Sequence, residues 1–241
     1  MLKSFADFLV SLGEEKTIVT KEINGDTYAK EGLRRIAPHV DRPEKITVNG
    51  LDSIAKLVRH ELDMAENRPV YIRVAGPRSV EVFTTLDGYM QRDYLYEAVC
   101  DAPDFKGGWQ SQEEAIIKLR SAFIPNDGTE YLLDLLSRIC EDDSVSSEDN
   151  GVSQTVTVRQ GISLKCFESV RTRVPLRPYR TFTEVEQPES EFILRLDDDG
   201  RVGLIEADGG AWKMTAKANI AAYFETVLTE EVHSGSVVVM L

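Results

Sequence analysis

Four arginines and no acidic residue occur in the segment RTRVPLRPYRTF, at positions 171 to 182. Guanidinium groups bind phosphates and carboxylates through paired hydrogen bonds, and aromatic rings stack on nucleotide bases. Two aromatic residues are candidates to contact such a ligand: Tyr179, which lies within the segment, and Trp109, which lies outside it. The chemistry predicted here is binding of a small anionic, nucleotide-like ligand or of an acidic partner. The arginines are Arg171, Arg173, Arg177 and Arg180.

These arginines have a second interpretation, because the rest of the chain is acidic. It has 41 aspartates and glutamates against 28 lysines and arginines, a formal net charge of −13. The arginines can therefore neutralise the protein's own carboxylates, within the fold or across a subunit interface. Direct binding of duplex DNA is not expected, since it needs a basic face. Contact with nucleic acid through a local patch, or imitation of nucleic acid towards a basic partner, stays open.

A second candidate site is a group of carboxylates near the C-terminal end. The triplet Asp197, Asp198 and Asp199 is followed closely by Glu206 and Asp208. Clustered carboxylates bind divalent cations, which would suit a metal-dependent hydrolase or nuclease. However, an Asp-Gly pair between two apolar stretches already predicts a turn, and the spacing of a calcium-binding loop is missing. We expect no metal ligand and no catalytic residue here.

The familiar motifs of catalysis and cofactor binding are missing elsewhere. The glycines match neither a phosphate-binding loop nor a dinucleotide fingerprint, and no G-x-S-x-G elbow occurs. Neither the histidines nor the cysteines have metal-ligand spacing, and the cysteines are predicted to be buried thiols. We therefore expect no cofactor, and we favour a protein without enzymatic activity while keeping a hydrolase as an alternative. The residues concerned are His39, His60, His233, Cys100, Cys140 and Cys166.

Residues 1–143 are predicted to form an N-terminal α/β lobe with a helical hairpin. Apolar periodicity predicts an amphipathic helix over residues 1–15, a β-hairpin at Asn24-Gly25, a strand at KITVNG and a helix at LDSIAKLVRHELDMA capped near Asp52 or Ser53. Three more strands follow, at RPVYIRVAG, SVEVFTTL and QRDYLYEAV. Ser111 and Glu114 have capping-box spacing, and TEYLLDLLSRICE supplies the second helix of the hairpin.

Residues 151–241 are predicted to form a C-terminal β-rich lobe. The acidic, serine-rich segment EDDSVSSEDNG at 141–151 is typical of a mobile linker or a solvated turn, and it marks the lobe boundary. Alternating stretches then predict a mostly antiparallel sheet covered by the helix GAWKMTAKANIAAYFETVL, and VVVML predicts a terminal strand. The expected fold class is α+β. The terminal strand must pair with its own sheet or with a second copy, which favours a homo-oligomer.

Targeting signals are not evident in this sequence. No apolar run approaches the ~20 residues that cross a bilayer, and the N-terminal segment lacks the pattern of a signal peptide. We expect no membrane partner and a location in a cytoplasm.

Four stretches of the chain resemble the YfdQ-like proteins of phages and prophages, a family without an established biochemical activity. They are GGWQSQEEAIIKLRSAF at 107–123, DNGVSQTVTVRQGI at 149–162, PYRTFTEVEQPESEF at 178–192 and EADGGAWKM at 206–214. They are spread over residues 107–214, a span of just under half of the chain. None is a catalytic motif, so the resemblance implies an origin rather than a mechanism. It implies a virus-encoded protein that works in the host bacterial cytoplasm, where such accessory proteins counter host defence or act in viral DNA metabolism.

Three functions are therefore expected, in this order. The first is a non-enzymatic phage or prophage accessory protein that binds a host partner or a small anionic ligand. The second is a metal-dependent hydrolase or nuclease that uses the carboxylates from Asp197 to Asp208. The third is a structural protein that assembles through its terminal strand.

Overall fold

The structure is a computed structural model. It describes residues 20–23, 25–29, 34–36, 42–61, 68–103, 105, 107–140, 144–149, 154–160, 163–197 and 201–241. The helix predicted over residues 1–15 lies outside these residues, and so does His39. The chain forms two compact units, Met1–Pro43 with Leu86–Gln91, and Glu44–Thr85 with Arg92–Leu241.

Helices and strands both contribute substantially, so the predicted α+β class is confirmed. The described helices are α1 (Leu51–Glu61), α2 (Gln112–Ser121), α3 (Asp127–Cys140), α4 (Trp212–Val227) and α5 (Thr229–His233). The described strands are β1 (Thr20–Ile23), β2 (Asp26–Ala29), β3 (Arg34–Ile36), β4 (Ile46–Val48), β5 (Val70–Gly76), β6 (Ser79–Thr84), β7 (Tyr94–Val99), β8 (Gly108–Gln110), β9 (Phe123–Ile124), β10 (Ser144–Asp149), β11 (Gln154–Gln160), β12 (Ser163–Val170), β13 (Arg173–Pro178), β14 (Ser190–Leu196), β15 (Val202–Glu206) and β16 (Val237–Met240).

The first unit contains an antiparallel sheet in the order β1-β2-β3. The predicted hairpin is confirmed, because Ile23 of β1 lies opposite Asp26 of β2. Gly25 between them has φ +83°, a left-handed conformation that glycine adopts without steric cost. In the same unit Arg42 donates to Asp87 over 3.1 Å.

The second unit contains a mixed five-stranded sheet, which we call the first sheet, in the order β16-β5-β6-β7-β4. Its two outermost pairs, β16 with β5 and β4 with β7, are parallel, and the others are antiparallel. The C-terminal strand therefore pairs with its own chain. Helices α1 and α4 cover the inner face, where Ile54, Ile72, Val82, Ile220 and Phe224 are buried together.

Helix α1 begins one residue before the predicted cap. Leu51 is its first residue, so Asp52 and Ser53 lie inside the helix rather than at its cap. The backbone N–H of Leu51 donates to the Glu184 carboxylate over 2.8 Å. This acceptor comes from a distant part of the chain, which is why local sequence patterns did not reveal it.

The second unit also contains an antiparallel five-stranded sheet, which we call the second sheet, in the order β8-β15-β14-β13-β9. The predicted helical hairpin, α2 with α3, packs on its inner face and buries Leu119, Leu132 and Leu136 against strand residues. The capping box of α2 is confirmed. The Glu114 backbone donates to the Ser111 hydroxyl over 3.2 Å, and the Ser111 backbone donates to the Glu114 carboxylate over 3.1 Å.

The helices are distributed between the two sheets differently from the prediction. Helix α4 was expected to cover the C-terminal antiparallel sheet, but its residues Ile220 and Phe224 are buried in the core of the first sheet. The helical hairpin covers the second sheet instead. Apolar periodicity identifies the buried face of a helix but not the sheet that the face contacts.

Strand β10 replaces the linker or solvated turn predicted at 141–151. Residues Ser144–Asp149 pair antiparallel with β11, and β11 pairs with β12, so that these strands form a separate three-stranded sheet. The acidic, serine-rich composition of this segment did not predict a strand. The strand pairs with QTVTVRQ, in which apolar and polar residues alternate.

Each five-stranded sheet contains strands from both predicted lobes, residues 1–143 and residues 151–241. Strand β16 joins the first sheet, whose other strands precede residue 100. Strands β8 and β9 join the second sheet, whose other strands follow residue 172. The position of the boundary stays a prediction.

Candidate functional site

Strand β13 carries two of the predicted site's residues, Arg173 and Arg177, in an alternating pattern. Val174 and Leu176 are buried in the core of the second sheet, whereas Arg173, Pro175 and Arg177 point to the opposite, outer face. From the sequence, Pro175 and Pro178 predict an edge strand or an extended, polyproline-like path. The segment is extended in the structure, but β13 is not an edge strand, because it lies between β14 and the two-residue strand β9.

The register of the second sheet brings Trp109 to the same outer face as Arg173. Trp109 lies opposite Gly203, and Gly203 lies opposite Arg195, so these residues form one row across the sheet. Ile205, Ile193 and Arg173 form the adjacent row. We call these two rows, together with Pro175, Glu191, Arg177 and Glu189, the outer face of the second sheet.

Gly203 determines how the indole ring of Trp109 lies on this face. A Cβ atom at Gly203 would approach the Trp109 ring to 3.3 Å, which is tighter than an ordinary contact. The glycine therefore lets the ring lie over the neighbouring strand. Trp109 is still 52% exposed, and Ile205 is 46% exposed. Ile205 lies beside Trp109 and opposite Ile193, which is half-buried. The three side chains form an apolar patch that is partly exposed to solvent.

Arg173 and Arg177 on the outer face are paired with glutamates. Arg173 donates to Glu191 over 2.9 Å, and both side chains are more than half exposed. Arg177 contacts Glu189 over 3.1 Å and Glu186 over 3.3 Å. Exposed ion pairs of this kind contribute about 0–1 kcal/mol, so a partner can exchange them at little cost. The guanidinium groups of Arg173 and Arg177 are thus accompanied by three carboxylates, so the surroundings of these two arginines carry no excess positive charge.

Arg171 lies on a different side of the structure from Arg173. Its guanidinium carbon is 4.8 Å from the centre of the Tyr131 ring on α3, and its backbone N–H donates to the Tyr131 hydroxyl over 3.0 Å. Tyr179 is half-buried, and its backbone N–H donates to Ala122 over 2.9 Å. The structure therefore does not bring Arg171 together with the arginines of the outer face.

Arg180 is buried, with 3% of its surface exposed. Its guanidinium group donates to the Pro188 carbonyl over 3.1 Å, to the Ser190 hydroxyl and to the Glu206 carboxylate. It also lies 4.1 Å from the centre of the Trp212 ring. Burial lowers the pKa of Arg180, although the charge and hydrogen bond of Glu206 act against this effect. These contacts assign Arg180 to the interior of the fold.

A cleft of about 280 Å³ opens beside the outer face, between β13, β14 and the start of α4. Pro175 and Trp212 form part of its wall, and three carboxylates line it, those of Glu189, Glu191 and Asp208. None of the described residues that line this cleft is basic, so they offer no counter-charge to an anion.

Asp208 holds the start of α4. Its carboxylate accepts from the backbone N–H groups of Gly210 over 2.9 Å and Trp212 over 3.2 Å, and from the Ser190 hydroxyl. Partial burial alone would raise the pKa of Asp208. The hydrogen bonds from Ser190 and the helix start, with the charge of Arg180, outweigh burial and hold this pKa below its ordinary value of 3.8.

The described carboxylates of the predicted metal site have separate structural partners. Asp197 accepts from both the backbone N–H and the Nε of Arg201, over 2.7 Å each. Glu206 pairs with Arg180, and Asp208 holds α4. Within the part of the chain that the structure describes, no three metal-binding side chains cluster. Asp198 and Asp199 lie outside that part.

The described histidines and cysteine have no partner of the kind that catalysis needs. His60 and His233 are exposed. Cys100 is a buried free thiol, as predicted, whereas the side chains of Cys140 and Cys166 lie outside the description. No described helix is both long enough and apolar enough to span a bilayer.

Sequence reasoning missed Ile193, Gly203, Ile205 and Glu191, which complete the outer face. The signal was present in part, because EFILRL and RVGLIEA alternate as two strands of a hairpin. Which of their residues lie beside Trp109 and Arg173 depends on the pairing with β8 and β13.

Comparison of the chain with models of protein families, with curated proteins and with solved structures found no match. The resemblance to the YfdQ-like family therefore stays a prediction.

Proposed function

We propose that this chain is a non-enzymatic accessory protein of a phage or prophage that binds a host protein through the outer face of the second sheet. One observation carries the proposal: an exposed indole, Trp109, lies beside the exposed Ile205 and the half-buried Ile193, with ion pairs along one side. The viral origin, the bacterial cytoplasm as the site of action and antagonism of host defence as its purpose follow from the family resemblance.

The composition of this face supports a protein partner. Protein interfaces combine an apolar centre, in which tryptophan and arginine contribute most of the binding energy, with a polar and charged rim. Trp109, Ile193 and Ile205 provide such a centre, and the pair of Arg173 and Glu191 provides a rim. The partner that fits has an apolar patch flanked by charged groups of both signs.

A small anionic ligand has less support than a protein partner. Arg173 and Arg177 are each paired with glutamates, Arg180 is buried, and Arg171 lies against Tyr131. The adjacent cleft is lined by carboxylates. An anion would therefore have to displace a resident carboxylate at the outer face and would meet negative charge in the cleft.

Affinity capture with variants of the face tests the proposal. Immobilised wild-type protein is exposed to bacterial lysate beside a Trp109→Ala, Ile205→Ser double variant. Ile117→Ala is the matched control, because Ile117 is 56% exposed on α2, away from the outer face. We expect a protein that wild type and control retain, that the double variant loses, and that rebinds when purified. Equal retention by all three proteins would contradict the proposal.

The metal-dependent hydrolase is the weaker alternative, since Asp197, Glu206 and Asp208 are bonded to other groups of the chain. Titration calorimetry with Mg²⁺ and Mn²⁺ separates the two functions. Binding heat that disappears on replacing Asp198 and Asp199 by asparagine would favour the hydrolase.

Self-association is a further part of the proposal. Strand β16 is the last strand of the first sheet, so one of its edges is unpaired among the described residues. Unpaired edges can pair with a second copy of a chain. Light scattering over a range of concentrations should show a mass above the 27.0 kDa of one chain. A single-chain mass at every concentration would exclude the homo-oligomer and the self-assembling structural protein.

A further inference from the structure

The outer face of the first sheet carries a row of aromatic residues. Tyr71 of β5 lies opposite Phe83 of β6, and Phe83 lies opposite Tyr94 of β7. The ring centres are 5.6 Å apart in the first pair and 5.4 Å apart in the second. On the other side of Tyr71, Val238 of β16 continues the row. Three neighbouring strands thus present three adjacent rings on one face.

Two arginines lie on these rings. The guanidinium carbon of Arg92 is 5.4 Å from the ring centres of both Tyr71 and Phe83, and that of Arg73 is 5.8 Å from the centre of Phe83. Phe83 is only 6% exposed in this arrangement. Arg92 also donates to the Thr84 carbonyl over 3.2 Å, and Arg73 pairs with Glu81. The arginines are therefore held directly over the aromatic surface.

This face is accessible and locally basic. The helices α1 and α4 pack against the sheet through its inner face, whereas Tyr94 is 48% exposed on the outer face. Three basic side chains, Arg73, Arg92 and Lys45, accompany two acidic ones, Glu81 and Glu97. The balance is positive in a chain whose net charge is −13, whereas Arg173 and Arg177 on the second sheet are accompanied by three glutamates.

We propose that this aromatic face binds single-stranded nucleic acid. Bases stack on exposed rings of an open sheet, and arginine contributes both to stacking and to phosphate binding. Tyr94 offers the first ring, since it is already exposed. A second base stacks on Tyr71 or Phe83 where a guanidinium now lies, and the displaced arginine then pairs with the phosphate backbone. This binding does not depend on the outer face of the second sheet.

The ligand is single-stranded because stacking requires bases that are free of a helix. A duplex presents its phosphates and groove edges but not the faces of its bases, so it would gain nothing from the row of rings. The excess positive charge is also small, whereas duplex binding needs many phosphate contacts.

Fluorescence anisotropy of a labelled oligothymidylate of roughly 15 nucleotides tests the proposal, with an oligouridylate of equal length to distinguish DNA from RNA. We expect binding at low salt that weakens as salt rises, and no displacement by an unlabelled duplex. Tyr94→Ala should lower the affinity by about tenfold, and Tyr94→Phe, which keeps the ring, should restore it. Arg73→Gln should reduce the salt dependence.

Trp109→Ala is the control on the second sheet and should bind like wild type, which separates this site from the proposed protein interface. Circular dichroism verifies that each variant is folded. Absence of an anisotropy change at protein concentrations up to about 100 μM would overturn the proposal. Equal affinity of Tyr94→Ala and wild type, or displacement by duplex, would overturn it as well.

Discussion

Arginines of the same short segment have opposite environments in this structure. Arg173 is exposed and paired with an exposed glutamate, whereas Arg180 is buried and bonded to three different groups. A buried charge that loses its partner costs far more than an exposed one. Each of the two interpretations of this segment therefore applies to a different arginine. Arg180 pairs with a carboxylate inside the fold, whereas Arg173 lies at a candidate interface.

Replacing Arg180 by alanine should reduce the free energy of unfolding by about 3 kcal/mol, because its hydrogen bonds to Pro188 and Ser190 and its pairing with Glu206 are lost in the interior. Arg173→Ala should reduce it by less than about 1 kcal/mol. Urea unfolding of both variants measures the difference. Equal losses would show that Arg180 is not the structural arginine.

The lowered pKa of Asp208 predicts a dependence of stability on pH. A carboxylate whose folded pKa lies below its unfolded value stabilises the folded state above the unfolded pKa, and this contribution is lost as pH falls through the folded pKa. Asp208→Asn removes that ionisation. The difference in unfolding free energy between wild type and Asp208→Asn should be constant above about pH 5 and shrink below about pH 4. A difference that does not change with pH would contradict the account.

At the scale of the elements, a distant side chain provides the N-terminal hydrogen bond of α1. Glu184 accepts from the backbone of Leu51, and a negative charge at this end of a helix is favourable. Gly50 leaves room for the carboxylate, because a Cβ atom there would lie 2.7 Å from its oxygen. The loop after β13 therefore contributes to the start of a helix on the other sheet.

Glu184→Ala should destabilise the chain by about 1 kcal/mol, the usual cost of losing a cap. Glu184→Gln is the matched control, since its amide oxygen can still accept from Leu51, and it should recover most of that loss. Thermal unfolding of the two variants provides the measurement. If both variants melt at the temperature of wild type, the capping role is wrong.

Most helices and strands could be predicted from the sequence, whereas their pairing could not. The capping box at Ser111 and the hairpin of β1 and β2 are local signals, and the structure confirms both. The neighbours of Trp109 and the burial of Arg180 depend on strand pairing and on Glu206, which is 26 residues away. Hydrophobic periodicity shows which residues are buried together on one face, but the register between distant strands follows from the packing of the whole core.

At the scale of the whole molecule, the segment after β13 joins the two cores of the second unit. Phe182 is buried in the core of the first sheet. Gln187, also buried, accepts from the backbone of Arg180 over 3.0 Å and donates to the Phe182 carbonyl over 2.8 Å. Thr181 donates to the Pro77 carbonyl. The two five-stranded sheets of this unit are therefore expected to unfold together.

Phe182→Ala should lower the unfolding free energy by about 3 kcal/mol, because it leaves a cavity in the first core. Tryptophan fluorescence, to which Trp109 and Trp212 contribute, should still follow the same transition as circular dichroism, since the segment couples the sheets. Tyr179→Phe serves as a control, because it keeps the aromatic ring and should change the unfolding free energy only slightly. Two separate transitions in wild type would contradict this coupling.

The most direct test of the central claim is photo-crosslinking in bacterial cells that produce this chain. A benzophenone amino acid is placed at position 109 on the outer face of the second sheet, and at the exposed position 117 as a control. The account predicts an adduct with a host protein from position 109 that position 117 does not give. Absence of an adduct at position 109, or the same adducts at both positions, would contradict partner binding through this face.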